Sequence, residues 1–318
     1  MLAAVGTAAA EPWKFNAHPE VWLLVAGIIA VGFYSVRVIG PKVVPAGTPI
    51  VTTRQRAAFV AGVVLLWTVS DWPLHDIAER YLYSAHMVQH MVMMFAAAPL
   101  FLLATPRWLA DLLLADRSRP ARAALWLTRP VPAAVIFNAV IIVLHWPSTV
   151  RLAVESGPMH YAMHLLLFAA SLLMWMPICG PIEERRLIAP AKMIYLFLQS
   201  IVPTVPSGFL VFAERPIYSV YDHDPRLWGI GILSDQQAAG SVMKIVGGFF
   251  LWVVIAVVFF RWASAEERKD RRPIVRAAAP LPDDLTFETV TDTFERLGPA
   301  PTEPVPRGPG QMGDPRMN

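Results

Sequence analysis

Charged side chains are scarce in this 318-residue chain: Asp, Glu, Lys and Arg make up 16% of it, against 55% hydrophobic residues. A water-soluble surface carries roughly 25% charged residues, so the two soluble domains that the length alone suggests are not expected. Cysteine is reduced to Cys179, which removes an intramolecular disulfide framework, a CxxC redox centre and a Cys-rich zinc site. There is no HExxH and no GxxxxGK[ST], so a zincin protease and a phosphate-binding loop have no support. No 20–50-residue repeat is visible. The opening MLAAVGTAAAEPW has no basic start and only a short apolar stretch, so no cleaved signal peptide is expected.

Long apolar runs are abundant instead. Seven can be traced, at residues 20–39, 57–72, 82–105, 131–146, 159–178, 191–212 and 238–262. Each reaches or approaches the ~20 residues that cross a bilayer as a helix. The expected fold is all-α, a polytopic transmembrane bundle of seven spans. The second and fourth runs are the shortest, and their helices are expected to extend into flanking polar positions. The sixth holds Pro203 and Pro206 beside Gln199, Ser200, Thr204 and Ser207, which predicts a kink whose freed carbonyls find partners inside the bundle.

Lysine and arginine orient the bundle. Arg37, Lys42, Arg54, Arg56, Arg107, Arg117, Arg119, Arg122, Arg129, Arg185, Arg186, Lys192 and Arg261 fall on one side, with a basic stretch at 268–276. The other side holds only Lys14, Arg80, Arg151, Arg215 and Arg226. The N-terminus is expected outside and the C-terminus in the cytoplasm. Residues 1–19 then form an outer segment, 20–262 the seven-helix domain, and 263–318 a cytoplasmic tail. In the tail, 268–276 suits anionic lipid headgroups, and LPDDLTFETVTDTFERLG suits one short amphipathic helix. TEPVPRGPGQMGDPRMN has too little apolar surface to fold. The net charge of +3 is explained by lipid contact, and no nucleic-acid partner is expected.

The eight histidines all fall in the outer half or outer loops: His18, His75, His86, His90, His145, His160, His164 and His223. Two pairs, His86/His90 and His160/His164, have the i,i+4 spacing that puts both imidazoles on one helix face. Ionisable groups at membrane depth face the bundle interior. Two pairs at equal depth, with His145 near, point to a metal site shared between helices, against the plainer reading of interhelical hydrogen bonds. Met93, Met94, Met159 and Met163 lie close to the pairs. Imidazole with thioether suits copper, especially Cu(I), although each methionine taken alone is more simply core packing. Zinc fits the same nitrogens, and one haem between the third and fifth spans is a further reading. Cys179 lies at the opposite, cytoplasmic end, which removes a Cys–His nucleophile.

Among the outer carboxylates, Asp76, Glu79, Glu155, Asp222 and Asp224 read as solvated loop charges. Asp71 and Asp235 stand at span ends, where they can orient a ligating histidine. Lys244 lies inside the seventh span and is expected to pair with one of these acids.

SAHMVQHMVMMFAAAPLFLLATP (84–106), HWPSTVRLAVESGPMHYAMHLLLFAASLLMWMP (145–177) and DQQAAGSVM (235–243) resemble the CtaG family of cytochrome c oxidase assembly proteins, multispanning proteins of the bacterial plasma membrane. The resemblance runs from about residue 18 to 262. It implies a non-enzymatic role in maturing haem–copper oxidases by supplying copper on the outer side of the membrane. An oxidase subunit is then the partner, and no small-molecule substrate is expected. His86, His90, His145, His160 and His164 correspond to the family's histidine set and Asp235 to its acidic motif, while Lys244 departs from the aromatic residues common there. A copper transporter is the alternative, but it requires ligands continuing to the cytoplasmic half, where only Gln199, Ser200 and Cys179 stand out.

Overall fold

The computed structural model describes residues 11–114, 118–222, 226–277 and 286–297, and all regular secondary structure among them is helical. In chain order the helices are α1 (Pro19–Val43), α2 (Thr53–Ser70), α3 (Leu74–Arg80), α4 (Tyr83–Ala104), α5 (Arg107–Leu114), α6 (Arg119–Leu127), α7 (Pro130–Leu144), α8 (Pro147–Glu155), α9 (Gly157–Cys179), α10 (Ala189–Val211), α11 (Ile232–Ala277) and α12 (Phe287–Leu297). Five are long and apolar enough to cross a membrane: α1, α4, α9, α10 and the Ile232–Lys269 part of α11. The number rises to seven when each of two bent pairs, α2 with α3 and α6 with α7, counts as one span. Apolar side chains face outward along these helices, among them Leu23, Val31, Ile245, Phe249 and Phe260.

The two short apolar runs end differently. A capping box starts α2 ahead of its run: Gln55 N–H donates to Thr52 Oγ1 at 3.2 Å, and Thr52 N–H donates to Gln55 Oε1 at 2.9 Å. Both donors would otherwise be orphaned at a helix start. The helix gains polar residues there, as expected. The fourth run does not lengthen. α7 has 15 residues, about 22 Å of helix against a ~30 Å hydrocarbon core. It stops at Leu144 because Pro147 forces Trp146 into an extended conformation, φ −71° and ψ 135°.

The kink in α10 falls at Val202–Pro203, between helical segments Ala189–Ile201 and Thr204–Val211. Thr204 Oγ1 donates to the Ser200 carbonyl at 3.0 Å, Ser207 Oγ donates to the Gly240 carbonyl at 2.8 Å, and Asn138 Nδ2 donates to Gln199 Oε1 at 2.8 Å. Three side-chain donors around the kink thus find acceptors within the bundle, while Asn138 Oδ1 stays buried without a partner. α10 and α11 touch closely at Gly240, where a Cβ would stand 2.8 Å from both Leu210 Cβ and the Ser207 carbonyl oxygen. Gly240→Ala is therefore expected to cost about 1–3 kcal/mol through overpacking, read as a lowered unfolding midpoint in detergent.

The main core joins α4, α7, α9, α10 and α11 through Met94, Phe95, Phe137, Ile141, Leu167, Met174, Trp175, Leu196, Met243 and Leu251. Within α4 the residues Val92–Ala97 form a π-helical stretch. Pro99 lacks the N–H that would close the α-helical bond to the Phe95 carbonyl, and π turns arise at such defects.

The chain divides into two units, 1–262 and 263–318. Described in the second are the end of α11 and α12, which realises the expected amphipathic helix and leaves Phe287 and Phe294 exposed. The tail segment expected not to fold, and His223 and Asp224, lie outside the described residues.

Candidate metal centre

The site lies where the N-terminal turns of α4 and α9 meet the C-terminal end of α7. His86 and His90 come from α4, His160 and His164 from α9, and His145 caps α7. Ring centroids are 4.1 Å apart for His86–His90 and 4.3 Å for His160–His164. Between the helices they are 5.3 Å for His86–His160, 5.3 Å for His86–His164 and 5.0 Å for His90–His164. The two pairs face one another, as the matching depth suggested.

All five imidazoles are buried. His145 Nδ1 donates to the Ile141 carbonyl at 2.7 Å. That bond puts the proton on Nδ1 and leaves the Nε2 lone pair free, the arrangement of a metal-ligating histidine. His145 Nε2, His86 Nδ1, both nitrogens of His90, His160 Nε2 and His164 Nε2 are buried without a hydrogen-bond partner. A buried polar atom left unpaired costs about 1–3 kcal/mol, so several at one place make a pocket that favours a ligand able to accept lone pairs. One nitrogen each from His86, His160 and His164 lies within 4.8 Å of the others. The histidines line a cavity of about 30 Å³ together with Met87, Met163, Tyr83 and Tyr221. A void needs about 10–15 Å³ of such space to hold one water. A cavity of about 30 Å³ suits an ion.

The helix that carries His86 and His90 is held from outside itself. Leu82, its N-cap residue, offers no capping side chain. Asp235 of α11 supplies one: its carboxylate accepts from Tyr83 N–H at 2.7 Å, from Ser84 N–H at 3.0 Å and from the Ser84 hydroxyl. A buried carboxylate at a helix N-terminus satisfies free donors and meets the positive end of the dipole. Next to it, Gln236 Oε1 accepts from the Ile217 and Tyr218 amides, and Tyr218 donates its hydroxyl to the His145 carbonyl at 2.7 Å. The Tyr83 ring stacks on His86 with centroids 5.9 Å apart. Asp235 therefore positions the histidine helix without bonding to a histidine among the described residues, which corrects the expectation that it orients an imidazole directly.

Three further expectations are corrected. Asp71 accepts from the Trp22 and Trp67 indoles at 2.8 and 2.7 Å and from the Trp72 amide at 2.8 Å. Its oxygens tie α1 to α2, and it bonds to no histidine among the described residues. Met94 is turned into the apolar core by the π stretch and lines a different small cavity, so it does not join the histidines, whereas Met163 does. Lys244 donates to Thr204 Oγ1 at 2.6 Å, and it forms no ion pair with a carboxylate among the described residues. It faces the kinked helix α10, while Asp235 is occupied at the α4 terminus.

Sequence reasoning missed the groups above the cavity. His18, His75 and Asp76 are buried, although the sequence placed them outside the spans. α3 follows α2 after a 42° bend and buries His75 and Asp76, an arrangement with no periodic signal in a seven-residue helix. His18 Nε2 pairs with Asp76 Oδ2 at 2.9 Å and His18 Nδ1 with Glu20 Oε1 at 3.2 Å. Burial lowers the His18 pKa, but the Asp76 and Glu20 carboxylates outweigh it and hold it above the usual 6.5. The folded-state pKa being the higher one, this stabilisation is complete below 6.5 and fades as pH rises through the raised value. His18→Gln is expected to flatten that part of the stability–pH curve, measured as unfolding midpoints across the same range.

A family model described as cytochrome c oxidase caa3 assembly factor matches residues 30–265. The match includes all five cavity histidines, Asp235 and Lys244. No curated protein and no solved structure matches the chain.

Proposed function

The chain belongs to the family of cytochrome c oxidase caa3 assembly factors, and from this we propose that it binds Cu(I) among His86, His90, His145, His160 and His164 and supplies it to a haem–copper oxidase. One observation carries the reading: buried imidazole nitrogens from three helices converge on an ion-sized cavity without partners of their own. Neutral nitrogens with Met163 and Met87 beside them form a borderline-to-soft donor set, which suits Cu(I) better than a hard cation. Zinc shares the nitrogen preference and is the competing ion. The protein acts here as a metallochaperone, with no bond of a substrate made or broken.

In this reading the chain spans the bacterial plasma membrane seven times, each bent helix pair counting as one span. The N-terminus and the histidines lie on the outer side, the C-terminus in the cytoplasm, and the oxidase subunit docks on the outer face. Transport through the bundle is the second reading, favoured by a small cavity lined by Met91, Met94, Met243, Gln199 and Thr204. Lys244 lines the same cavity, and an ammonium repels a cation there, so delivery on the histidine side is preferred. Protein purified in detergent under anaerobic conditions and titrated with Cu(I) against a chromophoric chelator is expected to retain one copper per chain. Failure to compete for Cu(I) would leave the histidines as structural or partner-binding groups.

A further inference from the structure

A second set of ligand-type side chains lies against the first. His75, Glu79 and His160 each offer an atom, and the three atoms fall within 4.8 Å of one another. His75 and Glu79 stand one turn apart on α3, with His75 Nε2 3.5 Å from Glu79 Oε2. His75 Nε2 and His160 Nε2 are buried without a hydrogen bond. The His75 and His160 rings meet edge to face with centroids 5.7 Å apart. The Glu79 side chain is 32% exposed, whereas that of His75 is 2% exposed. The set is thus closed on its inner side and opens outward through the carboxylate.

The surroundings fix His75 in this position. Its ring packs edge-on against His18 at 4.9 Å and stacks on Tyr161 at 6.1 Å. Gln89 Nε2 sits 3.3 Å from Nδ1, a placement that keeps the His75 proton on Nε2 and leaves Gln89 Oε1 a buried acceptor with no donor. A carboxamide can present either end to the ring. With its oxygen toward His75, Nδ1 carries the proton and donates to Gln89, and the Nε2 lone pair points to Glu79 and His160. Such a hydrogen bond on the far nitrogen is what sets the tautomer of a ligating imidazole.

We propose that His75, Glu79 and His160 form an outer divalent-cation site, separate from the Cu(I) cavity and joined to it through His160. Two imidazoles and a carboxylate suit a borderline divalent ion such as Zn²⁺, and a fourth coordination position toward the surface stays open for exchange. The carboxylate makes the set harder than the nitrogen- and sulfur-lined cavity beneath. A neutral imidazole has one lone pair, so His160 Nε2 serves one ion at a time and the two sites compete for that ring. The inference goes beyond the copper reading and does not require it.

The test is Zn²⁺ titration by calorimetry on the full chain in detergent, in a His86→Ala/His164→Ala background that leaves only His160 of the inner ligand set. Zn²⁺ binding is expected to persist there, and adding Glu79→Gln or His75→Ala is expected to weaken it by about tenfold or more. Glu79→Gln in the otherwise unchanged chain is expected to keep Cu(I) binding, which also shows that the variant folds. Zn²⁺ binding that ignores both Glu79→Gln and His75→Ala would overturn the outer site, as would its absence from the double-alanine background. If Cu(I) fails to bind the unaltered chain while Zn²⁺ binding still depends on Glu79, the copper reading falls and the outer site stands.

Discussion

Changing His86 and His164 together to alanine is expected to lower Cu(I) affinity by more than ~100-fold, beyond the 10–100-fold typical of losing an outer-shell partner. The two rings lie 5.3 Å apart across the α4–α9 contact, and each contributes a nitrogen to the closest ligand set. After their removal only His160 of that set remains. The apo protein is expected to behave differently from the usual core truncation. Leu→Ala in a packed core costs several kcal/mol, but here two buried nitrogens without partners, His86 Nδ1 and His164 Nε2, leave with the side chains. Lost packing and removed desolvation cost oppose each other, so the apo unfolding midpoint should move little. A bound ion stabilises the native state by mass action, with the logarithm of its concentration over Kd. That stabilisation should vanish in the variant, and thermal unfolding with and without Cu(I) reads both effects. A large apo destabilisation with copper binding retained would assign these histidines to structure.

The second large effect is expected at Asp235, away from the cavity. Asp235→Ala strips the α4 N-terminus of the acceptor for two amides and a hydroxyl inside a buried contact. At about 1–3 kcal/mol for each buried donor left unpaired, the loss should total about 3 kcal/mol or more. Copper affinity should drop with it although every ligand is intact, because the turn bearing His86 and His90 loses its anchor. Asp235→Asn keeps one acceptor oxygen and should fall between. Lys244→Met should leave copper affinity unchanged, since Lys244 bonds only to Thr204 among the described residues. An Asp235→Ala protein of full stability would contradict the capping role.

Much of this was legible in the residues because it follows from periodicity. An i,i+4 pair of imidazoles lies on one face of any α-helix, and two such pairs at equal depth in a bundle have few places to go. The cavity histidines could therefore be named before the helices were placed. Contacts made by a single residue across the chain have no such signature. Asp235 and Tyr83 are 152 positions apart, and nothing local distinguishes a carboxylate that caps another helix from one that orients a ring. The inward turn of α3, which buries His75 beside His160, belongs to the same class. Met94 illustrates a different limit. On a regular helix it lies one turn below His90, but the π stretch beginning at Val92 breaks the spacing on which that inference rests. The end of α7 at Leu144 does have a local signature, since Pro147 holds Trp146 extended.

X-ray absorption spectroscopy on the Cu(I)-loaded protein tests the central claim most directly, because it reports the atoms bound to the metal. The expected result is a nitrogen-dominated coordination shell with the outer scattering pattern of imidazole, lost in the His86→Ala/His164→Ala variant. A shell dominated by sulfur and unchanged in that variant would contradict the account. It would move the copper to the methionines between α4 and α11 and revive passage through the bundle.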